Sequence, residues 1–173
     1  SSAMKEYKVY YPEGDVNEKM KDRFKDYNLT AFTPGDAFKI QVGDLTVDTL
    51  LCAGHTNAST IYIINTPIVT YNEDKTQASA KYMVFSSDAV GSGSSVWLFS
   101  AAGMRQFDEG IDEVVEKLES YSSYNAGSGL GTKNDATIQL LGGHGWQYEN
   151  RFGTMTMDIS YVRNIKELIH RLA

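Results

Sequence analysis

The sequence predicts a single α+β domain, with a mostly antiparallel sheet of about six to eight strands and three flanking helices. Several short segments alternate apolar and polar residues, which is the two-residue period of a strand. Short turns containing glycine or proline join many of these segments, and strands joined by short turns pair antiparallel. Three longer segments carry apolar residues at helical spacing, with charged residues on the opposite side.

The first part of the chain predicts a strand, a helix and a hairpin. An alternating pattern over residues 5–11 indicates the strand. Asp15 and Glu18 have the spacing of a capping box, which predicts a helix that begins there and ends near Asn28. Further on, residues 43–44 (Gly-Asp) are typical of a two-residue hairpin turn between two strands.

The middle of the chain predicts several strands. Residues 61–64 are apolar or aromatic on both faces, which indicates a central strand. Because Pro67 interrupts the run 60–71, that run is expected to contain an edge segment or a bulge. A strand over residues 81–85 completes a hairpin with it, and residues 96–99 predict a short central strand.

The last part of the chain predicts two helices with strands between them. The clearest helix ends near Tyr124 and carries an apolar stripe formed by Phe107, Ile111, Val114, Val115 and Leu118. Strands are expected over residues 138–140 and 155–159, where Met155, Met157 and Ile159 alternate. Ser160 is the expected N-cap of the final helix.

One domain is expected over residues 4–173, because no linker and no repeat divides the chain. Residues 1–3 (Ser-Ser-Ala) are interpreted as a cloning remnant before a native start at Met4. No signal peptide is expected, and the sequence contains no apolar run of membrane-spanning length. A cytoplasmic location without membrane contact is therefore predicted.

The charge of the chain excludes one class of function. A net charge of −6 and a pI of about 5.0 argue against general binding to nucleic-acid backbones or anionic lipids. A nucleotide-like ligand stays compatible, because it needs only a few local donors. Eleven tyrosines, among them Tyr7, Tyr10 and Tyr11, suit an interface, so a protein partner and a homo-oligomer both stay open.

Cysteine and histidine usage predicts neither a metal site nor a cofactor. The single cysteine, Cys52, excludes an intramolecular disulfide and a cysteine-rich zinc site, and its apolar neighbours predict a buried thiol. The three histidines form no His-x-x-x-His pair.

Pairs of carboxylates are the remaining candidates for ion binding. Asp44 and Asp48 are expected on one strand, and Asp108 and Asp112 on one helix face. A divalent ion held by Asp88 and distant carboxylates also remains compatible with the sequence.

Two polar loops after apolar segments are candidates for a functional site. In residues 54–59, His55 can act as a base, and Thr56 and Asn57 can hydrogen-bond a ligand. Residues 86–95 are rich in glycine and serine, so backbone amides there could hold a phosphate. The hydroxyl groups that would assist belong to Ser92, Ser94 and Ser95.

A third loop, residues 141–146, is the strongest functional candidate. His144 lies between glycines, which allow a substrate to approach the backbone closely. Trp146 and Tyr148 could stack on a ring, and Arg151 could pair with an anion. The alternative interpretation of all three loops is that they are turns without a chemical role.

Three functions are consistent with these patterns. Since no catalytic motif is complete, the first is a non-enzymatic binding protein for a protein partner or a small polar, nucleotide-like ligand. The second is a small hydrolase or phosphodiesterase that uses His55 and His144 as catalytic acid and base. The third is a structural or assembly subunit.

Overall fold

The structure is a computed structural model. It describes residues 6–35, 37–75, 77–91, 96–124, 136–143, 149–150, 153–154 and 157–172. The strands are β1 (Lys8–Pro12), β2 (Asn28–Phe32), β3 (Lys39–Val42), β4 (Leu45–Leu51), β5 (Thr60–Ile64), β6 (Ile68–Tyr71), β7 (Gln77–Ser87), β8 (Ala136–Gly142), β9 (Glu149–Asn150) and β10 (Gly153–Thr154). The helices are α1 (Glu18–Arg23), α2 (Ala101–Tyr124) and α3 (Ile159–Leu172).

A six-stranded sheet forms the centre of the molecule, and the predicted α+β class is confirmed. The hydrogen-bonded order is β3-β4-β5-β7-β6, and β8 pairs with β7. All pairs are antiparallel except β7 with β8, which are parallel. β6 and β5 pair with different parts of the long strand β7, at Gln77–Lys81 and at Val84–Phe85. β4, β7 and β8 therefore run in the same direction.

Helices α2 and α3 cover one face of this sheet. α2 connects the parallel strands β7 and β8, as a crossover between parallel strands requires. The predicted apolar stripe of α2 is buried, with Phe107, Ile111, Val114 and Leu118 fully inaccessible. These side chains share one core with the inward residues of the strands, including Ile61, Ile63, Tyr82, Val84 and Leu140.

A small unit of β1, α1 and β2 lies on the opposite face of the sheet. β1 and β2 pair in parallel as a separate two-stranded sheet. Phe32 at the end of β2 anchors this unit, because its ring stacks on Phe38 with centroids 4.5 Å apart and meets Tyr62 of β5 edge-on.

The central hairpins follow the sequence prediction, but the strand predicted over residues 96–99 is wrong. Gly43 has φ 59°, the left-handed conformation that the β3–β4 turn needs. Residues 96–99 form no strand, and Trp97 and Phe99 are 41% and 73% exposed. Both edges of β7 are already occupied by its neighbours, so no central position is left for another strand.

The first predicted helix is shorter than expected and has a different cap. Asn17, not Asp15, is the N-cap, since its side chain accepts a hydrogen bond from the Met20 amide at 3.0 Å. The helix ends at Arg23, and the chain then forms β2, whose parallel pairing with distant β1 gives no local sequence signal.

The start of the last helix also corrects a prediction. Ile159 is the first residue of α3 and is not part of a strand. Asp158 rather than Ser160 provides the side-chain acceptor at this end of the helix, because its Oδ1 accepts a hydrogen bond from the Ser160 amide at 2.8 Å. The Ser160 hydroxyl donates to the same oxygen, and the hydrogen bonds from the hydroxyl and then the amide lower the pKa of Asp158. Met157 still makes a β-bridge with Leu140, and Met155 lies outside the described residues.

His170 of α3 joins the two long helices through the predicted acidic face of α2. Its Nδ1 pairs with Asp108, and its Nε2 lies 3.0 Å from Oδ1 of Asp112. Lys166 also reaches Asp112, at 2.7 Å. The hydrogen bonds to Asp108 and then Asp112 raise the pKa of His170.

This cluster is expected to make stability depend on pH. A raised folded-state pKa means that protonated His170 stabilises the fold fully below its unfolded pKa of about 6.5. That contribution is lost as the pH rises through the raised value. The free energy of unfolding in urea should fall more between pH 5.5 and pH 8.5 for the wild type than for His170→Gln. Equal losses in both proteins would contradict the assignment.

No helix among the described residues is long and apolar enough to cross a membrane.

Candidate functional site

Three chain segments leave the central sheet at the same edge. Because β4, β7 and β8 run in the same direction, their carboxyl ends meet there. The loop with His55 follows β4, Asp88 follows β7, and Gly143 follows β8. The sheet topology therefore brings together residues that are far apart in the sequence.

The orientation of the His55 ring is fixed from outside the loop. Its Nδ1 lies 2.8 Å from the backbone carbonyl oxygen of Trp97. A carbonyl oxygen only accepts hydrogen bonds, so Nδ1 carries the hydrogen and the neutral ring presents the lone pair of Nε2. The Phe99 ring, with its centroid 5.0 Å away, lies against the same imidazole.

Asp88 faces this lone pair across a short gap. Nε2 of His55 lies 3.9 Å from Oδ2 of Asp88, and the two side chains are 18% and 32% exposed. The preceding residue, Ser87, has φ 49°, an uncommon conformation for a residue with a side chain. Strained backbone of this kind is frequent at functional sites.

Asp88 is also enclosed by the end of β8. A Cβ added to Gly143 would lie 2.7 Å from Oδ1 of Asp88, so a larger residue here would force the Asp88 carboxylate out of this position. The Ser86 hydroxyl donates to the Leu141 carbonyl at 3.2 Å, which ties the β7 end to β8. The carboxylate is thus held against two strand ends.

A polar cavity of about 300 Å³ opens beside the His55–Asp88 pair. Its lining residues are Pro12, Asp15, His55, Thr56, Ser59, Thr60, Tyr62, Ser87, Asp88 and Ala89. Partial burial, more than any other cause, raises the pKa of Tyr62, so its phenol stays protonated at neutral pH. The cavity therefore offers hydroxyl groups together with two carboxylates.

The structure describes only some of the predicted site residues. His55 and Thr56 line the cavity, whereas Asn57 is exposed and does not line it. The other predicted site residues lie outside the described residues: Ser92, Ser94, Ser95, His144, Trp146, Tyr148 and Arg151.

Sequence reasoning missed two carboxylates of the cavity as members of the site. The sequence predicts Asp88 only as one ion ligand with distant carboxylates, and it places Asp15 in a helix cap. The usable signal for Asp88 was its place after an apolar strand, as for His55. Asp15 gave no such signal, because its partners are 41 and 43 residues away in the sequence.

Cys52 lies close to the site in sequence but is chemically inert. It is 1% exposed, and burial raises the pKa of its thiol to about 12. The prediction of a buried thiol is confirmed, and a thiolate nucleophile would require a lowered pKa.

His55 and Asp88 suit a divalent transition metal ion. Zinc binds histidine nitrogen and carboxylate oxygen at about 2.0–2.2 Å each, so tetrahedral ligand atoms lie about 3.4 Å apart. The two atoms, 3.9 Å apart, would have to approach by about 0.5 Å to share one ion. The Trp97 carbonyl that holds Nδ1 is the usual outer partner of a metal-binding histidine. Within the described part of the chain, no group of three or more His, Cys, Asp or Glu side chains is arranged to hold a metal.

Comparison with known proteins finds a similar fold among solved structures. No protein-family model and no curated protein matches the sequence. Among solved structures, the chain is similar to the 2.1 Å crystal structure of a metallo-beta-lactamase from Staphylococcus aureus subsp. aureus COL, with a TM-score of 0.53 and 16% identity. The match covers 94% of this chain and 40% of that chain. At this level of identity, the similarity shows a shared fold.

Proposed function

We propose that this chain is a metal-dependent hydrolase, in which His55, Asp88 and His144 hold one divalent ion beside the polar cavity. The observation that carries the proposal is the geometry of the first two residues. Nε2 of His55 presents its lone pair to Oδ2 of Asp88 at 3.9 Å, while the Trp97 carbonyl anchors Nδ1. The proposal replaces the expectation of a metal-free site.

Two further observations support the proposal. The solved structure with a similar fold is named a metallo-beta-lactamase, a name that assigns that protein both a metal and a hydrolysable substrate. His144 enters because it directly follows Gly143, which lies against Asp88 at the end of β8. With His144, the donor set has the three protein ligands of a catalytic zinc site.

The cavity is suited to a small polar substrate with a hydrolysable acyl or phosphoryl group. When bound, a divalent ion acidifies water and polarises a substrate oxygen. The protonated Tyr62 phenol is available to orient the substrate by hydrogen bonding. Ser87, which also lines the cavity, adds a second hydroxyl beside Asp88.

A binding protein without turnover is the second candidate. The polar cavity of about 300 Å³ is large enough for a small ligand, and its hydroxyl groups can hold one without any reaction. The two proposals differ in whether a metal-loaded protein consumes the ligand. If the protein binds neither a metal ion nor a small ligand, the favoured functions are binding of a protein partner and a role in assembly.

Titration of metal-free protein with Co²⁺ and Zn²⁺ tests the first proposal. We expect one tight site, with a visible Co²⁺ spectrum typical of nitrogen and oxygen ligands. His55→Ala and Asp88→Ala should each weaken the affinity by about 100-fold or more, since a lost ligand should cost at least as much as a lost outer partner. The loaded wild type should then hydrolyse a member of a panel of β-lactam, ester and phosphodiester substrates.

His170→Ala is the matched control, because His170 also contacts two carboxylates but lies outside the cavity. It should bind metal like the wild type. Gly143→Ala should weaken binding without unfolding the protein, because the added Cβ meets the movable carboxylate of Asp88. A wild type that binds no ion, or a site lost only in His170→Ala, would refute the proposal.

A further inference from the structure

Asp15 connects the turn before α1 to the loop that carries His55. Its Oδ2 accepts a hydrogen bond from the Thr56 hydroxyl at 2.9 Å. Its Oδ1 accepts one from the Ala58 amide at 3.0 Å. A single carboxylate thus binds two positions of a loop that lies more than 40 residues further along the chain.

The loop itself is closed by a second set of hydrogen bonds. The Thr56 amide donates to Oγ of Ser59 at 3.0 Å, and the two hydroxyl groups lie 2.8 Å apart. Because the Thr56 hydroxyl donates to Asp15, the Ser59 hydroxyl is the donor of this pair. Asp15 therefore orients both hydroxyl groups, that of Thr56 directly and that of Ser59 through Thr56.

Packing between the two segments supports the same connection. Ala58 is 3% exposed, and a Cβ added to Gly14 would lie 3.5 Å from its Cβ. Gly14 has φ 104°, which lets the backbone turn so that Asp15 reaches the loop. Hydrogen bonds to a carboxylate are also stronger than those to a neutral acceptor.

We propose that Asp15 is the positioning residue for His55: it fixes the loop backbone while the Trp97 carbonyl fixes the ring. This inference rests on the proposed metal site, because it states what keeps Nε2 aimed at Asp88. Two anchors hold the imidazole in place. Asp15 lies 41 residues before Thr56, and the Trp97 carbonyl lies 42 residues after His55. Without Asp15, the ring loses one of them.

The first measurement is made on metal-free protein, by ¹⁵N NMR of the His55 imidazole at pH 8. The wild type should show a single tautomer with the hydrogen on Nδ1. Asp15→Ala should give a mixture of tautomers, and Asp15→Asn, which keeps one acceptor oxygen, should lie between them. In Co²⁺ titration, Asp15→Ala should bind about 10–100-fold more weakly, the range found for outer partners of metal ligands.

Asp158→Ala is the control, because Asp158 also accepts from a backbone amide and a hydroxyl but does not line the cavity. It should lower stability without changing the tautomer or the affinity. An unchanged His55 tautomer in folded Asp15→Ala would overturn the inference. If the wild type binds no metal but the tautomer still depends on Asp15, the metal proposal fails while the positioning role stands.

Discussion

Gly103→Ala is expected to destabilise the fold and to displace the loop that carries His55. Gly103 lies in the first turn of α2, where its N–H donates to the Ser100 hydroxyl at 3.0 Å. A Cβ at this position would lie 2.4 Å from the carbonyl oxygen of Gly54, the residue before His55. The obstacle is backbone, so the helix or the loop must move.

The contact is equally close from the side of Gly54. Gly54 has φ 142°, and a Cβ added there would meet Cβ of Phe107 at 2.8 Å and the Gly103 carbonyl oxygen at 3.0 Å. The two glycines form a close backbone contact over the fully buried Phe107. Overpacking of this kind costs about 1–3 kcal/mol, which exceeds the helix-propensity gain of about 1 kcal/mol from glycine to alanine.

Gly110→Ala provides the matched control on the same helix. A Cβ added at Gly110 meets nothing within 4 Å, so the substitution should stabilise the protein by about 0.5–1 kcal/mol. Urea unfolding should therefore shift in opposite directions for the two variants. The Gly103→Ala protein should also bind Co²⁺ more weakly. Equal stabilisation by both substitutions would show that the Gly54–Gly103 contact is not tight.

The elements with a local signal could be predicted from the sequence, and those that depend on distant pairing could not. The stripe from Phe107 to Leu118 identified α2, and residues 43–44 identified a hairpin, because both patterns lie within a few residues. The parallel pairing of β1 with β2 lacks such a pattern. Residues 96–99 look like a strand because their apolar content is indistinguishable from that of a buried segment.

In the candidate site, too, only residues with a local sequence signal could be predicted. The sequence points to His55 and Thr56 because histidine and hydroxyl residues that follow an apolar run can be recognised locally. Their contact with Asp88 depends on β4 and β7 being separated by one strand and running in the same direction. Asp15 was assigned to the nearest helix, because its real partners can only be identified once the small β1–α1–β2 unit is placed on the sheet.

Asp48 lies at the centre of a hydrogen-bond network between the sheet and α2. It is 6% exposed on β4, where its carboxylate receives hydrogen bonds from Lys39, Asn65 and Tyr121. Lys39 lies in β3, Asn65 directly follows β5 and Tyr121 lies in α2, so the carboxylate links the sheet to the helix above it. Asp44 lies in the exposed hairpin turn, and the predicted pairing of the two carboxylates on one strand is wrong.

Asp48→Ala is therefore expected to be the most destabilising substitution in this network, by about 2–3 kcal/mol, because it removes a charged acceptor from the buried Tyr121 hydroxyl. Lys39, which is half exposed, regains water and limits the loss. Tyr121→Phe removes one donor and should cost about 1–2 kcal/mol. Asp44→Ala, a change of the same residue type at an exposed position, should stay within about 0.5 kcal/mol of the wild type.

Asp48→Asn keeps the shape of the side chain, and its stability should fall between those of Asp48→Ala and Asp44→Ala. This variant keeps the comparison measurable if Asp48→Ala does not fold. Urea unfolding gives all four values, and an Asp48→Asn protein as stable as Asp44→Ala would show that the charge of Asp48 contributes nothing.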